Sequence, residues 1–153
     1  MWTRADQAWE AGYLRSAFRL FLRAAKAGEL GCQLNVGTFY CDGIGVRRNR
    51  EKALYWYRRA YKRGDSCAAT NIGYLYRDEG NLKKALEWFL RSVALGNVET
   101  NLEAAKIILA QGKQAEAIRH LTRVVRAKPY QEVTADSWEK ARRLLARLER
   151  GRP

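Results

Sequence analysis

The sequence predicts an all-α fold, about four helix-turn-helix repeats stacked in series and closed by a capping helix. Three observations lead there. A block opening on a small residue recurs at Ala17, Ala53, Ala85 and Ala117, at intervals of 36, 32 and 32 residues. Within each block large residues follow at the next, fourth and fifth positions, the spacing of a buried helical stripe. Glycine punctuates the pattern: Gly12, Gly80 and Gly112 stand five residues ahead of three of the leading alanines, and Gly28, Gly64 and Gly96 close three of the blocks. A fixed period of this length marks an array in which each hairpin buries its apolar face against its neighbours.

The elements follow in order within one domain, residues 1–150. The first repeat, about 1–28, pairs a short helix over Trp2 to Glu10 with a second helix that ends at Gly28. The second, 29–64, carries four extra residues between Cys41-Asp-Gly43 and Ala53; Gly43 and Gly45 permit the wider turn this insertion needs. The third, 65–96, opens with a helix over Ala68 to Glu79, and the fourth, 97–128, with one over Leu102 to Gln111. A final helix, about 134–150, places Trp138, Ala141, Leu145 and Leu148 on one face and Arg, Lys and Glu on the other, as an end cap requires. Trp56, Tyr57, Trp88 and Phe89 recur at equivalent places in second helices and are read as core. Gly37 and Gly73 recur inside first helices, where glycine costs roughly 1 kcal/mol against alanine; close helix approach is the reason to keep them.

Composition narrows the function. The chain of 153 residues carries 29 Lys+Arg against 16 Asp+Glu, a net charge of +13. Residues 1–64 hold 13 of the basic and 5 of the acidic groups. The basic residues concentrate in Arg15, Arg19, Arg23 and Lys26, in Arg47, Arg48 and Arg50 on the long turn, and in Arg58, Arg59, Lys62 and Arg63. At a spacing of four, Arg15, Arg19 and Arg23 share one face and repel one another. Three readings stay open for this stripe: a plain solvated surface, an acidic protein, or nucleic acid.

Other classes are disfavoured. A lone histidine, His120, and three scattered cysteines, Cys32, Cys41 and Cys67, lack the spacing of a metal site, and the thiols are expected to be free. No nucleophile elbow or phosphate-binding loop is present, so no enzyme activity and no cofactor are expected. No apolar stretch resembles a secretory core or a membrane span, which points to the cytoplasm and away from membranes.

The second repeat carries a resemblance. Leu34-Asn-Val-Gly-Thr-Phe-Tyr40, Gly43-Ile-Gly-Val46, Lys52-Ala53, Trp56-Tyr57, Ala60 and Gly64 resemble a Sel1-like repeat, with Val36 where Leu is usual and Tyr61 in place of the second Ala. The third, with Asn71-Ile-Gly-Tyr-Leu-Tyr76, Gly80 and Ala85, resembles the related tetratricopeptide repeat; the first and fourth are degenerate. The resemblance implies a right-handed α-solenoid whose first helices line a concave groove that holds another protein. Small bacterial proteins of this kind can act as immunity proteins or as chaperones of secreted toxins.

Hairpin register assigns the groove-facing residues: Trp2, Asp6 and Trp9 in the first repeat, Leu34, Thr38 and Cys41 in the second, Thr70, Tyr74 and Arg77 in the third, and Lys106 with Leu109 in the fourth. Asn35 and Asn71 lie beside them at matching positions. In tetratricopeptide proteins an asparagine there can hold a peptide backbone or carboxylate, but the clamp's basic partners are not both present, and helix-turn packing is the preferred reading. The expectation is a non-catalytic adaptor for an acidic protein, using the groove and the basic surface of Arg47, Arg48 and Arg50. Nucleic-acid binding through the Arg stripe is the alternative. The chain is expected to be a monomer or a weak homodimer through its N-terminal end.

Overall fold

In the computed structural model, residues 4–127 and 133–151 are described, and all their regular structure is α-helix. The chain divides into two units, one up to Ile72 and one from Gly73 onward. The first contains α1 (Arg4–Glu10), α2 (Leu14–Lys26), α3 (Leu30–Asp42), α4 (Arg50–Tyr61) and the opening half of α5 (Ser66–Asp78). The second contains the rest of α5, then α6 (Leu82–Ala94), α7 (Asn101–Ala110), α8 (Gln114–Val125) and α9 (Ala135–Arg150).

Each hairpin turn is built from local chemistry. At Gly12, Gly80 and Gly112 the backbone turns left-handed, with φ of 76°, 76° and 78°. The same two bonds close each turn. The N–H of Gly12 donates to the Trp9 carbonyl and that of Tyr13 to Ala8, and the N–H groups of Gly80, Asn81, Gly112 and Lys113 repeat this pattern. These bonds satisfy helix-end carbonyls that would otherwise lack partners. Where the next helix starts, Asn49 and Asn81 cap α4 and α6 by accepting from the N–H of Lys52 and Lys84.

In the first unit α1 packs on α2, α2 on α3 and α3 on α4. The alanines that set the repeat, Ala17 and Ala53, are fully buried, and they let aromatic side chains meet between the helices. Phe39 receives the edges of Phe18 and Phe21 at 6.2 and 5.3 Å, and Phe18 meets Tyr40 at 5.2 Å. Trp56 and Tyr57 are buried, and a Cβ placed on Gly37 would lie 2.5 Å from Tyr57 ring carbons. Gly37 is thus kept small by the Tyr57 ring of α4. The long turn is held as firmly. Gly45 has φ +65°, and a Cβ there would overlap the Leu14 carbonyl oxygen at the start of α2.

In the second unit α6 packs on α7, α7 on α8 and α8 on α9 around Phe89, Leu102, Ile108, Leu121 and Val124. Gly73 repeats the relation seen at Gly37: its Cβ would stand 2.5 Å from the Phe89 ring. Trp88 departs from the core expectation. It is half-buried, with the Arg91 guanidinium 4.4 Å from its ring centre. In α9, Ala141 is buried while Leu144, Leu145 and Leu148 lean on the core. Trp138 stays 39% exposed and donates its indole N–H to the Val125 carbonyl at 3.0 Å, because an indole needs a partner for its polar edge. Glu99 holds the start of α9: burial pushes its carboxyl up, but bonds from Ser137 and Thr134 outweigh this and keep it below the usual range.

One buried polar pair gives a pH prediction. His120 and Asn101 are both buried, with His120 Nδ1 2.8 Å from Asn101 Oδ1. An amide oxygen only accepts, so Nδ1–H is the donor, and the Asn101 amide donates onward to the Val98 carbonyl. Burial, with Arg123 and Arg119 nearby, lowers the imidazole pKa against the opposing pull of Glu116. The unfolded chain, titrating near about 6.5, therefore binds this proton first, and stability falls as pH drops below that value. The melting temperature is expected to decline from pH 7.5 to 5, and His120→Gln to flatten that decline. An unchanged slope in the variant would remove His120 as its source. Glu139, held down at about 2 by Arg142 and Arg143, acts in a separate window below about pH 4.5.

Candidate functional site

Within each unit the residues assigned to the groove form their own group. In the first unit, Asp6 and Trp9 of α1 meet Asn35 and Thr38 of α3 around a recess of about 460 Å³. Its walls are completed by Glu10, Phe21, Phe39 and Ile44. Trp9 stacks on Phe39, centroids 5.4 Å apart and planes 15° from parallel, and keeps 38% of its surface exposed. Thr38 is already engaged: its hydroxyl donates to the Leu34 carbonyl and accepts from the Tyr57 hydroxyl at 3.2 Å. Trp2 lies outside the described residues.

Cys41, assigned to the same row, does not line the recess. It is half-buried toward Asp42 and Tyr57, and burial followed by Asp42 pushes its thiol up. Cys32 is raised further, to about 11, by burial and by Glu29, so neither thiol is a ready nucleophile. All three cysteines are free. Thr70 and Asn71, in the opening half of α5, are half-buried; the Thr70 hydroxyl donates to the Ser66 carbonyl within its own helix.

In the second unit Tyr74, Arg77 and Lys106 gather around a residue that sequence reading did not single out, Glu103. Arg77 Nη1 stands 3.2 Å from Glu103 Oε2 and Lys106 Nζ 2.6 Å from Oε1. The Arg77 guanidinium also reaches Asp78 at 3.2 Å and lies 4.6 Å from the Tyr74 ring centre. Burial and Glu103 raise the Tyr74 hydroxyl, while its ring meets Phe89 edge-on at 5.3 Å. Arg77 and Lys106 are therefore both paired with the Glu103 carboxylate. The Glu103–Lys106 pairing is visible in the i,i+3 spacing, whereas Arg77 and Glu103 are 26 residues apart and meet only through folding.

The basic turn divides as well. Arg47 and Arg48 are exposed, as are Arg15, Arg19 and Arg23 along α2. Arg50 is different: as the first residue of α4 it is half-buried, with Nε and Nη2 shielded from solvent. That position belongs to the packing of the turn against its helix, not to the open basic surface. The aromatic residues nearest the stripe are mostly enclosed, since Phe18, Phe21 and Tyr57 are buried and Tyr55 is exposed. Among the described residues no group of His, Cys, Asp and Glu could hold a metal ion, and no helix is long and apolar enough to cross a membrane.

Helical hairpins repeated at a fixed period, with aromatic and alanine core positions recurring from one to the next, define an α-helical repeat protein of the solenoid class. The Sel1 repeat family model matches residues 14–29, 31–65 and 68–97, and the chain belongs to that family. Such repeats are generally non-catalytic protein-interaction modules. The chain is 30% identical over 97 residues to a sel1-like repeat-containing protein of Acanthamoeba polyphaga mimivirus, covering 63% of this chain and 18% of that protein. It superposes on the Sel1 repeat protein of Oxalobacter formigenes with a TM-score of 0.69 at 22% identity, over 94% of this chain and 63% of that one. The SLR-fold antigen c5321 of uropathogenic Escherichia coli gives 0.65 at 20% identity, over 92% and 37%. The chain thus spans less than a fifth of the curated relative and under two thirds of each of these structures. The structural likenesses establish the fold.

Proposed function

We propose that the chain is a non-catalytic adaptor that binds an acidic protein partner in the cytoplasm, using its first-helix residues and the exposed basic surface of its first unit. An immunity protein or a chaperone of a secreted protein is the narrower form of this role. The observation that carries the reading is the exposed basic turn: Arg47 and Arg48 stand exposed on a turn whose Gly45 lies against the main chain at the start of α2. A guanidinium pairs a carboxylate bidentately, a main chain already held in place loses less freedom on binding, and opposite net charges speed encounter.

The test is affinity capture with the wild-type chain and with Arg47→Glu/Arg48→Glu, each with and without nuclease. Arg50 is left intact because its burial would confound the result. The reversal is expected to lower recovery of the wild-type chain's partner by about tenfold or more, the factor that 1.4 kcal/mol of binding represents, with nuclease making no difference. Equal recovery would remove the turn from the site. Recovery lost to nuclease would favour the Arg stripe as a nucleic-acid surface, as would a steep salt dependence.

A further inference from the structure

We infer that the first hairpin turn and the long turn of the first unit form one docking patch for a short acidic segment of the protein partner. An apolar side chain of that segment sits on Tyr13 and Leu14, and its flanking carboxylates meet Arg15, Arg47 and Arg48. The inference rests on the adaptor reading and names the partner's chemistry at this site. Two stretches of chain, residues 11–18 and 43–50, are brought together here. The main chain at Gly45 lies directly against the Leu14–Arg15 peptide, where an added Cβ would come 2.5 Å from the Leu14 carbonyl carbon and 3.0 Å from the Arg15 nitrogen. Arg47 follows Gly45 by two residues, so its Cα is at most about 7 Å from the Gly45 Cα. The two stretches contain four arginines and no acidic residue, and Arg15, Arg47 and Arg48 are exposed. Of the carboxylates that border them in sequence, Glu10 lines the recess between α1 and α3, Asp42 bonds the Cys41 thiol and Glu51 lies in the first turn of α4.

Tyr13 and Leu14 are the apolar part of the patch. Tyr13 is 69% exposed, more than any other large apolar side chain among the described residues, and Leu14 beside it is 40% exposed. Tyr13 also occupies the N-cap position of α2, where its side chain makes no capping bond, whereas Asn49 and Asn81 supply that bond to α4 and α6. A tyrosine here gives α2 neither a cap nor a buried ring. It does suit an interface, where an aromatic body seats an apolar group while the hydroxyl stays in water. Arginines beside such an anchor pair with carboxylates bidentately, so an apolar residue flanked by Asp or Glu matches both components. Nucleic acid fits less well, since Leu14 has no face on which a base could stack and Tyr13 offers a single ring. A second copy of this chain would bring another net charge of +13 against these arginines. The start of α1 lies elsewhere: Arg4 lines a recess with Leu20, Arg23 and Ala24, six to ten residues beyond Leu14 along α2.

The probe is the capped pentapeptide acetyl-Glu-Asp-Phe-Asp-Glu-amide, titrated into the full chain while the Tyr13 ring and the Leu14 methyl groups are followed by NMR. Two twins separate the components: Ala in place of Phe removes the anchor, and Gln and Asn in place of Glu and Asp remove the charge. The parent peptide is expected to shift both signals saturably and to bind about tenfold or more tightly than either twin. Tyr13→Asn gives α2 the capping residue of α4 and α6, so its melting temperature should hold or rise while affinity for the parent peptide falls about tenfold. Leu14→Gln, at the second exposed position, should weaken binding in the same direction. No saturable shift, a parent no tighter than its twins, full binding by Tyr13→Asn, or a lowered melting temperature in that variant would each overturn the inference. So would the same shifts produced by a single-stranded oligothymidylate, or by raising the concentration of the chain alone, which assign the patch to nucleic acid or to a second copy. Partner capture lost in Arg47→Glu/Arg48→Glu but complete in Tyr13→Asn would remove the anchor and leave the adaptor reading standing. Capture complete in both variants would remove the turn, and the patch with it, from the partner's site.

Discussion

The Phe89→Ala protein is expected to be about 3–5 kcal/mol less stable than the wild type in urea unfolding, the usual range for emptying a fully buried phenylalanine site. Phe89 has no exposed surface, meets Tyr74 edge-on and lies directly against Gly73. That last contact permits a sharper test. Gly73→Ala puts a Cβ at 2.5 Å from two Phe89 ring carbons, so in the wild-type background it should destabilise, with overpacking that costs about 1–3 kcal/mol outweighing roughly 1 kcal/mol of gained helix propensity. In the Phe89→Ala background the ring is gone, and Gly73→Ala should become neutral or stabilising. The double-mutant cycle reads this reversal directly. If Gly73→Ala has the same sign in both backgrounds, the small residue is not there for the ring.

Gly45→Ala is expected to cost about 2–4 kcal/mol, combining a left-handed backbone that side chains resist with an overlap that has no soft partner. The atoms in the way are the Leu14 carbonyl oxygen and carbon, the latter 2.5 Å from the added Cβ, and main chain cannot rotate aside. Gly12→Ala is the control. Its φ of +76° resembles that of Gly45, +65°, but nothing stands within 4 Å of its added Cβ, so the loss should stay near about 1–2 kcal/mol. Equal losses at the two sites would mean that the turn is not pressed against α2. Because the turn carries Arg47 and Arg48, Gly45→Ala should also weaken partner capture more than its stability loss alone explains.

Much of this was legible in the residues. The recurring alanines announced where helices approach, and Ala17, Ala53, Ala85 and Ala117 are all fully buried, because a repeat that stacks on its neighbour has one position with room for a methyl group alone. Gly37 and Gly73 announced close helix approach through their equivalent positions; that the neighbours are the Tyr57 and Phe89 rings came from the structure. The register that selected Asp6, Trp9, Asn35 and Thr38 selected residues that line one recess. Glu10, four residues beyond Asp6, lines the same recess and was not among the residues that the register selected. Phe39 and Phe21 are buried and still line the recess, a double role that depends on how α1 lies over α2 and α3.

Periodicity and turn chemistry therefore determined the helices, their order and the buried stripe, because those depend on contacts between residues a few positions apart or one repeat apart. Tertiary structure alone decided the rest, where the outcome turns on which groups meet across helices. It drew Arg50 inward while leaving Arg47 and Arg48 exposed, and it joined Arg77 to Glu103 across 26 residues. It laid the long turn against Leu14 and gathered Asp6, Trp9, Asn35 and Thr38 around one recess. Net charge is a sum over residues, but a partner meets the local field, and that depends on where folding places each carboxylate and guanidinium.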